Sequence, residues 1–310
     1  MLLLYRGESF DANFFYHAGV DMDHAFLLAG KSRILFVPLL NESFARSQFK
    51  GKVIAYRNPF AELEKHIKGK TVYADFSSLS AKMVMRLRRI CKLKDHSAEL
   101  MEKRMRKRKD EVSDIRKAVS LTKELISSLD LKSAKTELDL EKQIRVMAAE
   151  QGSELSFDPI VSSGSSTAFP HYKATKKKLG PLVLVDCGLK YNHYCADLTR
   201  CFVTGRMKKE YEKIQQICYS IADELPDLGT GEDVTLFSAK LMEKAGFPKM
   251  IHSIGHGIGL EVHELPRLSI KSSNKIAGTT LAIEPAFYLK KYGMRFEEDI
   301  FFDGKKARIL

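Results

Sequence analysis

Four carboxylates and a histidine-rich block are the residues of this chain whose types and spacing could do chemistry. Asp186 and Asp197 flank Gly188-Leu189-Lys190-Tyr191-Asn192-His193, a segment of good turn residues, and a turn centred near Tyr191-Asn192 sets them opposite one another on paired strands. Glu284 and Glu297 flank Lys290-Lys291-Tyr292-Gly293, and a turn centred near Lys290-Lys291 does the same for them. Directly opposed strand residues have Cβ atoms roughly 4.5–5.5 Å apart, so each pair brings like charges together. Strand carboxylates are ordinarily exposed or paired with a lysine. Asp186, however, ends the apolar run Leu182-Val183-Leu184-Val185, and Glu284 follows Leu281-Ala282-Ile283. Ionised carboxylates buried there are costly unless cations compensate them. Two divalent ions would balance four carboxylates and leave room for a bridging hydroxide. Oxygen-rich ligation with one imidazole favours Mn²⁺, Co²⁺ or Fe²⁺ over the sulfur-bearing sites of structural zinc.

The nitrogen donor is sought in the block from His252 to Glu264, which holds three of the nine histidines. Its alternating glycines, Gly255, Gly257 and Gly259, argue against a helix and so against a helical two-histidine zinc motif. They also lack the spacing of a dinucleotide-binding loop. Glycines do permit close backbone approach, as expected beside a metal or substrate.

Positioning these groups takes strands and turns. Strands are expected at 181–187 and 194–203, and strand-like runs at 280–289 and 294–302 end the sequence. Two helices open this half. One runs over 109–129, with Ile115, Val119, Leu121 and Leu125 at helical intervals. The other follows Thr136-Glu137-Leu138-Asp139, an N-cap with an acid three residues on. A helix pair is expected at about 207–223 and 232–245. The first hundred residues read as a small α/β domain, with strands at 26–29, 33–37, 52–56 and 71–74 and helical spacing over 80–93, where Met83, Leu87, Ile90 and Leu93 share a face. That half carries no chemical constellation. A basic stretch at 103–109 marks the boundary, giving domains 1–105 and 106–310.

Composition narrows the function classes. A chain of 310 residues suits two domains, and 44% apolar with 29% charged residues indicates a soluble globular protein. No run approaches the roughly eighteen apolar residues of a membrane span, and the opening Met-Leu-Leu-Leu-Tyr-Arg is too short for a secretory signal. Five cysteines (Cys91, Cys187, Cys195, Cys201, Cys218) are few and odd in number, which argues against a disulfide framework and for a cytoplasmic protein with reduced thiols. The net charge of +12 is concentrated at 103–109 and 173–178. The first stretch is not interleaved with stacking aromatics, so it reads as a solvated linker or helix face rather than a nucleic-acid groove.

The second half resembles the "pita-bread" metallopeptidases: prolidase, aminopeptidase P, creatinase and the methionine aminopeptidases. The resemblance is carried by Phe169-Pro170-His171-Tyr172, Val185-Asp186-Cys187-Gly188, Ala196-Asp197-Leu198-Thr199-Arg200, the His252 to Glu264 block, Ala282-Ile283-Glu284-Pro285 and Arg295-Phe296-Glu297, in that order and over roughly 110–310. It implies an α+β fold, a pita-bread catalytic domain with a smaller α/β amino-terminal domain. It further implies ligation of two divalent metal ions by Asp186, Asp197, His256, Glu284 and Glu297, with Mn²⁺ or Co²⁺ foremost and Fe²⁺ or Zn²⁺ as alternatives. The Arg-x-Glu pattern selects Glu297, and strand alternation agrees, since Arg295 and Glu297 share a face while Glu298 points away. His171, His252 and His263 match substrate-facing histidines, Arg295 an arginine that orients the centre, and Arg267 a position that binds the substrate's terminal carboxylate in prolidases.

Two ions of this kind acidify a bridging water and polarise a carbonyl, with Glu284 as general base and His263 stabilising the oxyanion. The activity implied is hydrolysis of Xaa-Pro bonds in di- or oligopeptides, as a dipeptidase or, alternatively, as an aminopeptidase on longer peptides. A homodimer is implied by the resemblance alone. A catalytically silent binding protein that keeps the fold is the alternative of another class; the complete ligand set opposes it. Cys201, Ala286 and Phe296 depart from the family pattern without removing a ligand.

Overall fold

The opening run Leu2–Arg6 forms β1, which alternates its apolar side chains, Leu3 and Leu4 entering two different buried clusters. It is an interior strand of a six-stranded mixed sheet ordered β4-β3-β2-β1-β5-β6, where β2 is Ala25–Ala29, β3 Arg33–Pro38, β4 Lys52–Tyr56, β5 Thr71–Ala74 and β6 Lys92–Asp95. Five helices accompany these strands: α1 Ala12–Ala18, α2 Glu42–Gln48, α3 Pro59–Ile67, α4 Ala81–Arg88 and α5 Ser97–Met105. The helix expected over 80–93 stops at Arg88. Leu93 falls instead in β6 and Cys91 just before it, although they fill the same core cluster as Leu87. Helical spacing and burial thus agree here while the backbone conformation differs.

The computed structural model describes residues 1–205 and 207–310, and they divide into two compact units, 1–104 and 105–310. The second unit begins with α6 (Lys109–Ser127) and α7 (Glu137–Glu150). In α7, Thr136 and Asp139 close a capping box, as the sequence suggested. The strands are β7 Ile160–Ser163, β8 Leu182–Cys187, β9 Lys190–Tyr191, β10 Tyr194–Cys195 and β11 Leu198–Val203. Helices α8 (Met207–Glu224) and α9 (Gly231–Lys244) follow. The remaining strands are β12 Gly255–Gly257, β13 Glu264–Arg267, β14 Thr279–Ile283, β15 Ala286–Tyr288, β16 Gly293–Arg295, β17 Glu298–Phe302 and β18 Ala307–Ile309. They assemble as a three-stranded sheet β11-β8-β7, a five-stranded sheet β13-β12-β14-β17-β18, and two short hairpins, β9-β10 and β15-β16. Apolar residues of α8, β8, β14, β16 and β17 share one core.

The two hairpins behave differently from one another. The β15-β16 pairing opposes Ala286 with Arg295 and Tyr288 with Gly293, which is the register read from the sequence and sets Glu284 against Glu297. In the other hairpin the turn lies one residue later than expected. Tyr191 pairs with Tyr194, and the loop residues are Asn192 and His193, both with positive φ (47° and 69°). A two-residue loop with positive φ at both positions matches the right-handed twist of the strands, and Asn accepts that conformation better than Tyr191 would. Asp186 therefore opposes Thr199, and Asp197 lies two residues away diagonally, on the same face.

Close approach at the base of this hairpin requires glycine. A Cβ on Gly188 would sit 1.7 Å from the Ala196 carbonyl oxygen. Gly188→Ala is expected to destabilise the protein by roughly 2–3 kcal/mol or more through overpacking. Gly152→Ala, at a positive-φ position with open space, is expected to cost only ~1 kcal/mol. Urea unfolding of the two variants checks the order.

Candidate metal centre

Each long strand expected at the site is broken, and a candidate ligand stands at each break. Asp197 separates β10 from β11, Glu284 separates β14 from β15, and Glu297 separates β16 from β17. A broken ladder leaves a buried N–H in need of a partner. The Asp197 N–H donates to Asp299 Oδ2 at 2.9 Å. The N–H groups of Glu284 and Glu297 donate to the carbonyls of Ile254 (2.8 Å) and Thr199 (3.2 Å). Both hairpins keep one register across these interruptions, and the acids at them line one cavity.

That cavity, of about 960 Å³, is lined by Asp186, Asp197, His256, Glu284 and Glu297, together with His171, His252, His263 and Arg295. Oxygen and nitrogen atoms of Asp197, His256 and Glu297 come within 4.8 Å of one another. His256 Nε2 is 3.6 Å from Asp197 Oδ2. Burial and then His263 lower the His256 pKa to about 4, so the ring is neutral and this approach is one of two lone-pair donors rather than an ion pair. Donation from Nδ1 to the Gly257 carbonyl (3.2 Å) leaves Nε2 free to ligate.

Asp186, Asp197 and Glu297 are buried and Glu284 is partly so. Desolvation, followed by the neighbouring carboxylates, raises Asp197 and Glu284 well above the ordinary range, and Glu297 to about 7. One cation offsets part of this charge. Arg295 Nη2 donates to Asp186 Oδ2 at 2.5 Å, Nε to Thr199 Oγ1 at 2.9 Å, and Nη1 to the Tyr288 hydroxyl at 3.0 Å. Asp186 Oδ1 is buried with no hydrogen-bond partner. An orphaned carboxylate oxygen beside a cluster of like-charged donors and one neutral imidazole fits a divalent cation.

The remaining histidines surround this centre. His252 Nδ1 lies 3.7 Å from Glu284 Oε2, and its Nε2 is 3.2 Å from the Tyr288 hydroxyl. The His263 ring meets His256 edge-on, with centroids 4.3 Å apart. Burial lowers the pKa of both His252 and His263. Glu298 points away, to Arg200 and Lys123. Arg267 is exposed on β13 and lies outside the cavity lining.

Four contributors escaped the sequence reading as individual site residues. Thr199 donates to Glu297 Oε2 at 2.7 Å while accepting from Arg295, and Tyr288 bridges Arg295 and His252. Both share strand parity with a candidate ligand, Thr199 with Asp197 and Tyr288 with Glu284, and that was the available signal. Asp299 shares the parity of Glu297, yet its role, accepting from the Asp197 N–H, depends on a partner 102 residues away. Lys107, expected in a solvated basic stretch, instead forms a buried ion pair with Glu264 at 2.8 Å, beside His263.

Comparison with known proteins places the site in a family. The model of metallopeptidase family M24 matches residues 113–303. The chain belongs to metallopeptidase family M24. It is a metallo-exopeptidase with the α+β pita-bread fold and a smaller amino-terminal domain. Similar to it is the Xaa-Pro dipeptidase of Pyrococcus furiosus, 27% identical over 92% of this chain and 86% of that one. Among solved structures, the X-Pro aminopeptidase from Thermotoga maritima aligns with a TM-score of 0.88 and the prolidase from Pyrococcus furiosus with 0.87. Both are 25% identical over 99% of this chain, covering 94% and 95% of theirs. Among the described residues no helix is long and apolar enough to cross a membrane, and all five cysteines are buried and free.

The raised carboxyl groups make stability depend on pH when no metal is bound. An unfolded glutamate ionises near pH ~4.3, whereas Glu297 in the fold does so at about 7. Between those values the folded chain holds the extra proton, so stability falls as pH rises through the window. The melting temperature of chelated protein is expected to drop from pH 5 to pH 7, and Mn²⁺ to raise it more at pH 7 than at pH 5. A flat profile with equal metal effects contradicts this electrostatic account.

Proposed function

We propose that the chain is an Xaa-Pro dipeptidase working with two divalent metal ions, Mn²⁺ or Co²⁺ first among them, held by Asp186, Asp197, His256, Glu284 and Glu297. The observation that carries this reading is the convergence of buried, mutually repelling carboxylates and a neutral imidazole in one cavity. The Xaa-Pro dipeptidase and prolidase relatives support the substrate class. When bound, two such ions supply an acidified water and a polarised carbonyl.

The chain's own residues do the rest. Glu284, whose pKa is raised chiefly by burial, accepts the proton of the attacking water and holds it at its carboxyl until the leaving nitrogen takes it. His252 Nδ1 lies 3.7 Å from that carboxylate and is engaged by the Ser253 carbonyl at 2.7 Å, while its Nε2 meets the Tyr288 hydroxyl. His263 donates towards the oxygen on which charge develops, and His171 lines the same cavity. Arg295 positions Asp186 and, through Thr199, Glu297. The same reading makes the protein a cytoplasmic homodimer.

A second reading, Xaa-Pro aminopeptidase, is supported by the likeness to the Thermotoga maritima enzyme of that name. Assays of Mn²⁺- and Co²⁺-loaded protein on Ala-Pro and Ala-Pro-Ala separate the two. The dipeptide is expected to be cleaved and the tripeptide to be poor. The reverse preference selects the aminopeptidase, and turnover of neither means the proline assignment is wrong. Asp197→Asn is expected to abolish turnover; retained activity contradicts its role.

A further inference from the structure

The turn that carries His263 joins β12 to β13, where Gly257 pairs with Glu264 across residues 258–263. His263 lines the cavity, whereas Glu264, the next residue, does not. The His263 ring touches His256 edge-on, with centroids 4.3 Å apart, and no hydrogen bond with a described residue holds it. The place of the ring is therefore set by the backbone on which it stands.

That backbone is fastened from Glu264. Its Oε1 accepts from the Glu261 N–H at 3.1 Å, which draws the turn together, and its Oε2 accepts from Lys107 Nζ at 2.8 Å. Lys107 is anchored in turn. Its N–H donates to the Gly278 carbonyl at 2.8 Å, immediately before β14, the strand that leads to Glu284. On the other limb of the turn, the Ile258 N–H donates to the Thr280 carbonyl (3.1 Å) and the Gly259 carbonyl accepts from the Cys195 N–H (2.7 Å). A Cβ on Gly259 would stand 2.6 Å from Glu264 Oε2 and 2.9 Å from Lys107 Nζ, so the third glycine of the histidine-rich block makes room for the ion pair. The two side chains are only 1% and 3% exposed. Desolvating both charges takes back much of what their attraction supplies, and an apolar pair of similar volume would hold the fold as well. What the charged pair adds is a fixed geometry for the turn.

We propose that Lys107 and Glu264 are positioning residues for peptide hydrolysis: their ion pair holds the 258–263 turn so that the His263 ring stays where charge develops on the substrate's carbonyl oxygen. The proposal rests on the peptidase reading and on the oxyanion role given there to His263, and it adds two residues that do not line the cavity. A hydrogen-bond donor aimed at developing charge works only within a narrow range of distance and angle. A turn released by about 1 Å would cost catalysis up to ~100-fold, while substrate binding, which the pair does not touch, stays nearly as it was.

A double-mutant cycle on the Mn²⁺-loaded full chain, assayed with Ala-Pro and Ala-Pro-Ala, tests this. His263→Ala is expected to lower kcat about a hundredfold, as the loss of one oxyanion donor does. Lys107→Met is expected to lower kcat about tenfold, with KM within about twofold and the metal bound per chain unchanged. In the His263→Ala background the same change should cost nothing further, because the ring that the pair positions is gone. If melting curves show Lys107→Met unfolded under the assay conditions, Lys107→Met/Glu264→Gln, which leaves no buried charge unpaired, takes its place in the cycle with the same expectation. An equal loss of kcat in both backgrounds, an unchanged kcat without the ion pair, or a loss that follows the bound metal overturns the positioning role. If His263→Ala turns over as fast as wild type, the oxyanion role of His263 fails and the positioning role with it. If the wild-type protein cleaves neither peptide, the proline-peptidase reading fails and both roles fall. If it cleaves either peptide and the losses add, only the positioning role fails.

Discussion

The constraint on which the catalytic unit depends is the crowding of desolvated carboxyl groups around one cavity. Asp186, Asp197, Glu284 and Glu297 line it, and Asp299 stands directly behind, fully buried and with one oxygen unpartnered. Each group raises the cost of ionising the next. A chain folded for stability alone would fill this space with apolar side chains. The surrounding residues distribute the load instead. Arg295 serves Asp186, Thr199 links Arg295 to Glu297, and Asp299 accepts from the backbone of Asp197. What this network leaves uncompensated is what a pair of divalent cations would supply.

The fold meets that constraint by interrupting strands. Continuous strands through Asp197, Glu284 and Glu297 would hold each acid in a regular ladder, alternating with its neighbours. At all three candidate ligands the ladder is interrupted without a shift of hairpin register, and the N–H groups there are satisfied by Asp299, Ile254 and Thr199. The departures from the family pattern fit this arrangement. Phe296 packs edge-on against Tyr211 and Tyr219 with the Arg200 guanidinium over its ring, and Ala286 and Cys201 are buried.

Much of this was legible in the sequence because it rests on local rules. The helices of the second unit announced themselves by spacing and by the Thr136 capping box, and strand parity separated Glu297 from Glu298. The β15-β16 register followed from its turn. The β9-β10 register did not, because the twist of the strands selects Asn192-His193 for left-handed backbone and shifts the turn by one residue. Long-range pairings were not legible at all. Lys107 looked like part of a solvated basic run, yet its partner Glu264 lies 157 residues away. Asp299 is a carboxylate whose importance comes from the Asp197 N–H that the fold delivers to it. Arg267, matched by its motif to carboxylate binding, is exposed on β13 outside the cavity lining.

The central claim is that these carboxylates are balanced by two cations. Equilibrium dialysis of chelated protein against Mn²⁺, with the bound metal counted by elemental analysis, tests it most directly. The account predicts two equivalents per chain, the first bound through Asp197, His256 and Glu297. Saturation at one equivalent with full activity, or no binding at all, would contradict it.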